Sequence, residues 1–137
     1  MISVTTNRLA DLMTDRALCI QVANRLLHAF PELTKTLRLE DNYLPSARLS
    51  AMAVERLSAL ARAMLLFDLP NLADYEFAWA SGVLPRIGVT HDHQVAMVRW
   101  YFEELRRLDL ALGELAQARD MEVYLLAQVH RAYQRRS

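Results

Sequence analysis

Apolar residues recur every three or four positions along most of this chain, the spacing of amphipathic helices. Leu18, Val22, Leu26 and Ala29 form one such series and predict a helix over Asp15–Phe30, with Thr14 as N-cap and Asp15 favourable to the helix dipole. A short helix over Asn7–Met13 precedes it. Pro31 suits a first turn, so a further short helix is expected over Pro31–Leu39. Glu40–Pro45 reads as a connection. Ser46 then caps a long helix to Phe67, with Leu49, Met52, Ala53, Leu57, Leu60, Ala61 and Met64 apolar and Arg48, Glu55, Ser58 and Arg62 opposite. Pro70 breaks the pattern within Asp68–Asn71. Leu72–Ser81 resumes it with Tyr75, Phe77 and Trp79, and Gly82 and Pro85 close it.

Thr90 is a good N-cap for the next helix, which carries apolar residues on two sides. Val95, Val98, Phe102 and Leu105 form one stripe; Met97, Trp100, Tyr101 and Leu108 form a second. Two stripes imply two packing partners, the chain's own core and, for the second, another subunit. Gly113 interrupts, and a last helix is expected over Arg119–Arg135 with Met121, Tyr124, Leu125, Val129, Ala132 and Tyr133 on one face. No alternating run long enough for a sheet appears, so the pattern predicts a single all-α domain over residues 1–137, of about six to eight helices.

Composition narrows the function classes. The chain has 137 residues, 53% of them hydrophobic, with 3 Gly and 4 Pro, enough for a core and poor in helix breakers. Its formal net charge is zero, which gives no overall pull toward nucleic acid or an anionic membrane. The basic end His130–Arg136 reads as a solvated helix terminus. No apolar run approaches the roughly 18 residues of a membrane span, and no signal peptide is evident. The single cysteine, Cys19, excludes an internal disulfide and reads as a small buried apolar residue; a cytoplasmic setting is expected.

Candidate chemistry is sparse. His91 and His93 flank Asp92, but residues two apart on a helix point about 200° from each other and cannot share one ion. They read as a polar helix start. His28 could face a cavity and bind a ligand, although a histidine in such a place is more often part-buried with a hydrogen-bond partner, and His130 reads as a surface residue near a helix end. There is no phosphate-binding glycine loop and no nucleophile motif, so an enzyme is not expected.

The most specific stretch is Pro85–Tyr101, which holds Arg86-Ile87-Gly88, then His91, then Trp100-Tyr101. It resembles the start of the penultimate helix of the sensor globins, the globin-coupled sensors. Under this resemblance Asp15–Phe30, Pro31–Leu39, Ser46–Phe67, Leu72–Ser81, Thr90–Leu112 and Arg119–Arg135 correspond to the B, C, E, F, G and H helices. The implied fold is globin-like, a three-over-three helical sandwich. Haem-binding members place the iron-ligating histidine ahead of the Arg-Ile-Gly motif, near Ala63–Asp68 here. No histidine lies between Phe30 and His91. The chain is therefore similar to haem-free members, the N-terminal domains of stressosome scaffold proteins and the small sensor-like proteins that control sporulation kinases.

That likeness implies a haem-free sensory domain in signal transduction or stress response. It would hold no cofactor, dimerise through its last two long helices and signal to a regulatory protein. Met97, Trp100, Tyr101, Leu108 and Tyr124 would form the dimer interface. The emptied pocket would hold an apolar ligand such as a fatty acid among Leu57, Leu60, Met64, Phe67 and Phe77, with His28 at a polar head group. Two alternatives stay open: a haem-binding gas or redox sensor with an atypical ligand such as His28 or Met64, and an unrelated helical adaptor.

Overall fold

The computed structural model describes residues 4–36, 44–67 and 70–135, and among them there are helices and no strands. The order is α1 (Val4–Met13), α2 (Arg16–Ala29), α3 (Leu33–Thr36), α4 (Pro45–Leu49), a π-helical turn (Ser50–Val54), α5 (Glu55–Phe67), α6 (Pro70–Val83), a 3-10 turn (Leu84–Ile87), α7 (His91–Arg106) and α8 (Leu112–Gln134). The all-α expectation holds. Each expected helix has a counterpart; the differences lie at the ends and in a π turn that divides one of them.

Asp15, not Thr14, is the N-cap of α2: its carboxylate accepts from the Ala17 N–H at 3.3 Å, leaving Thr14 to bond back to the Asp11 carbonyl. Pro31 sits in a turn ahead of α3, whose described part ends at Thr36; the expected residues 37–39 and most of the connection before Pro45 lie outside the described residues. Leu44 replaces Ser46 as the cap of α4, with Pro45 in the first turn. The helix expected over Ser46–Phe67 is divided by the π turn, in which the Glu55 N–H bonds to the Ser50 carbonyl five residues back. Helix α6 starts at Pro70 itself and carries Gly82 inside its last turn. The helical run ends only after the 3-10 turn, where Gly88 takes φ 90°, a left-handed conformation that costs a residue without Cβ little.

The largest shift is at α8, which begins at Leu112 rather than Arg119, with Gly113 in its first turn. Glu114 explains it. Its carboxylate accepts from the Ala111 N–H at 2.7 Å, satisfying one of the donors a helix start leaves over, and it also pairs with Arg8.

Helix α7 is central and packs on α2 and α8; α8 also meets α6 and α1, and α1 lies on α5. Leu9, Met13, Val22, Leu26, Val54, Val98, Phe102, Leu105, Leu125 and Val129 are among the buried side chains that join these helices. One polar clasp lies among them. The Tyr101 hydroxyl donates to the Met13 carbonyl at 2.7 Å and the Ser58 hydroxyl donates to the same oxygen at 2.6 Å, so α7 and α5 both grip the C-terminal end of α1. Among the described residues no helix is long and apolar enough to cross a membrane.

Candidate functional site

The π turn, α5, α6, the 3-10 turn and α7 enclose an apolar groove of about 280 Å3. Leu57, Leu60 and Phe77 form its floor, and Met52, Trp79 and Ile87 its lip, at 57%, 47% and 52% exposure. A smaller lobe of about 100 Å3 runs from it toward α2 and α3, reaching Leu26, Leu33 and His93. Met52, Ala53, Leu84, Ile87, Gln94 and Met97 line both lobes. The π turn contributes directly: Met52 and Ala53 are its wall residues, and such turns recur at functional sites because the extra residue displaces side chains from the regular helical face.

Charge at the mouth is self-contained. Arg56 pairs with Glu76, whose second oxygen accepts from Nη2 at 3.1 Å, and the guanidinium lies 4.6 Å over the Trp79 ring. Glu76 holds the Arg56 guanidinium above its ordinary value. Deeper in, Gln94 is only 4% exposed, and its side-chain amide has no hydrogen-bond partner among the described residues. Its backbone N–H bonds to Thr90 as the first turn of α7 requires.

The residues singled out in the sequence divide. Leu57, Leu60 and Phe77 line the groove. Met64 is part-buried against the core and outside the lining, Phe67 is exposed, and His28 is exposed on α2 away from the groove. The groove's polar residue is Gln94, which sequence reading passed over. One signal could have found it: Gln94 stands three and four residues before Met97 and Val98, on the buried side of α7.

The dimer stripe needs correction. Tyr101 is fully buried and Met97 buried in the chain's own core, so neither is presented to a second copy. Tyr101 is held there by the clasp on Met13, and burial pushes its hydroxyl well above the ordinary tyrosine value. Trp100 is part-buried, stacked on Phe30 at 5.8 Å with the Arg25 guanidinium 4.8 Å over its ring. Leu108 and Tyr124 are part-buried as well.

The two histidines of the motif face apart. His93 Nδ1 accepts from the Thr90 N–H at 3.0 Å, so its proton is on Nε2, which donates to Glu32 Oε1 at 3.0 Å and holds that carboxyl below its usual value. Both nitrogens are thereby used, and this lining offers haem iron no free imidazole. Among the described residues no three His, Cys, Asp or Glu side chains converge on a possible metal position.

His91 instead stacks on Tyr133 of α8 at 4.6 Å and shares a hydrogen bond with His130 at 3.0 Å. Burial first, and then His130, lower its pKa from 6.5, against a smaller opposing pull from Asp92. The folded chain therefore prefers the neutral ring. That contribution is complete above about pH 6.5 and is lost as pH falls through the lower, folded-state value. The melting temperature of the wild type should drop faster on acidification below pH 6.5 than that of His91→Gln. A gap between the two that does not change with pH would refute the assignment.

With helices as the only regular elements among its described residues, and a groove lined mostly by apolar side chains with Gln94 among them, the chain is an all-α domain with a candidate small-molecule site. Comparison with protein-family models, curated proteins and solved structures gives no match to it.

Proposed function

We propose that this chain is a haem-free, globin-like sensory domain that takes a small apolar molecule into the groove between α5, α6 and α7 and passes the change to a protein partner. The groove carries this reading. It is concave, mostly apolar and rimmed by exposed Met52, Trp79 and Ile87, the composition of a ligand site rather than of a closed core. Two further features support it. The Arg86-Ile87-Gly88 motif forms the turn that leads into α7, and Ile87 of that motif lies on the groove's lip. The helix order, with α7 packed between α2 and α8 and with α6 on α8, accords with a three-over-three sandwich.

In this reading the domain works as a homodimer. Pairing uses the outer sides of the last two helices and the turn between them: Tyr124 is part-buried and Val123 exposed on α8, and Leu108 is part-buried in the turn after α7. No catalytic constellation is invoked, and the output is a change in shape at that surface. Native mass spectrometry of the purified chain, with an absorption spectrum after haem incubation, tests the whole reading. The expected result is twice the chain mass, a bound small apolar molecule, and no Soret band. A stoichiometric Soret band would move the chain to the haem sensors. A monomer that takes up no apolar molecule would leave a helical adaptor as the better account.

A further inference from the structure

We infer that the groove selects an uncharged, single-chain amphiphile of medium length, whose hydroxyl or carbonyl head hydrogen-bonds the Gln94 amide. The inference rests on the groove being a ligand site, as proposed above, and adds the chemistry of what fills it.

Three observations lead there. The first is Gln94 itself. A primary amide brings two donors and an acceptor oxygen. Gln94 is 4% exposed, lines both lobes and has no side-chain partner among the described residues. Its amide atoms are unpaired yet still reachable in the groove, so a polar group entering it meets donors and an acceptor not committed to the protein.

The second observation is charge. Arg56 and Glu76 neutralise each other at the mouth, and His93 donates to Glu32. The lining therefore has no spare cation for a carboxylate and no spare anion for an amine. An ionised head would be buried beside a neutral amide with no counter-charge, which is far more costly than burying a hydroxyl. This separates the inferred ligand from the fatty carboxylate that the family resemblance implies.

The third is size. A volume of about 280 Å3 is roughly nine times the 30 Å3 that one liquid water occupies, and so accommodates a chain of about eight to ten carbons. Apolar surface at Met52, Trp79 and Ile87 continues past the mouth to cover the chain's far end.

Isothermal titration of the intact chain with 1-decanol and with decanoate at pH 8 tests this, in wild type, Gln94→Leu and Ala53→Phe, each checked for helical circular dichroism. Ala53 lines both lobes, so phenylalanine there fills the groove. The expected result is decanol binding at least tenfold tighter than decanoate in wild type. Gln94→Leu should lose about tenfold for decanol, and Ala53→Phe should lose both ligands. Decanoate binding as tightly as decanol would overturn the uncharged-head inference, and this comparison needs no variant to fold. Undiminished decanol affinity in Gln94→Leu would overturn the role of Gln94 while leaving the groove as a ligand site. Failure of both ligands to bind wild type would overturn the ligand-site reading as well.

Discussion

Tyr101→Ala will lower the unfolding free energy by about 3–5 kcal/mol, the range for removing a large buried aromatic side chain. Tyr101 is fully buried on α7, packs edge-on to Phe102 at 5.1 Å, and donates to the Met13 carbonyl at 2.7 Å. Loss of the ring opens a cavity between α1, α5 and α7, and loss of the hydroxyl removes one of two donors from the end of α1. A small domain has only about 5–15 kcal/mol of stability in total, so the variant should be largely unfolded at temperatures where wild type is intact. Tyr101→Phe separates the two contributions. It keeps the packing, and Ser58 still donates to the Met13 oxygen, so it should cost only about 1 kcal/mol. Urea titrations of the three proteins decide the matter. A phenylalanine variant as unstable as the alanine variant would mean that the hydroxyl, not the ring, holds the helices together.

The second large effect is expected at the junction of α1 and α8. Glu114 is 1% exposed, yet carries a carboxylate whose Oε1 takes hydrogen bonds from Arg8 and from the Ala111 N–H. Its other oxygen has no hydrogen-bond partner among the described residues. Arg8 also donates to the Asp109 carbonyl at 2.6 Å, tying α1 to the turn before α8. Arg8→Leu leaves a buried carboxylate without its cation and should cost about 3 kcal/mol, the lower end for such a loss because the Arg8 side chain is itself 48% exposed. Adding Glu114→Gln to that variant removes the stranded charge and should return most of the stability, since glutamine's carbonyl still accepts from Ala111. A double variant no more stable than Arg8→Leu would show that the contacts of the arginine, rather than its charge, fasten α1.

Helix order was legible because each helix buries one face, and the three-to-four spacing of Leu18, Val22 and Leu26, or of Val95, Val98 and Phe102, records that face directly. Ends were less legible because tertiary partners set them. Locally only Glu114 marks Leu112 as a helix start, by accepting from the Ala111 N–H; its contact to Arg8, more than a hundred positions away, holds that carboxylate in place. The π turn left no signature, since Leu49, Met52 and Ala53 satisfy an ordinary helical period equally well.

The site was read in part for the same reason. Leu57, Leu60 and Phe77 face inward, which periodicity reports, and they do line the groove. Periodicity cannot say whether an inward face meets another helix or an opening, so Met64 and Phe67 were grouped with them. It also took the second stripe of α7 for an outer surface, whereas Tyr101 and Met97 meet core packed from the other side. Gln94 was missed because a polar residue in the first turn of a helix is ordinarily solvated; only the cover supplied by the 3-10 turn and the π turn makes it a buried amide.

The π turn has a consequence for how this groove could be altered. Over the same rise it holds one more residue than an α-helical turn, and that surplus presents Met52 and Ala53 as wall. The position of this wall therefore depends on the number of residues in the turn as well as on which side chains they carry. A codon gained or lost between residues 50 and 54 would redraw the wall by rotating all of α4 against α5, a step that point substitutions, which only trim or thicken the existing surface, cannot reach.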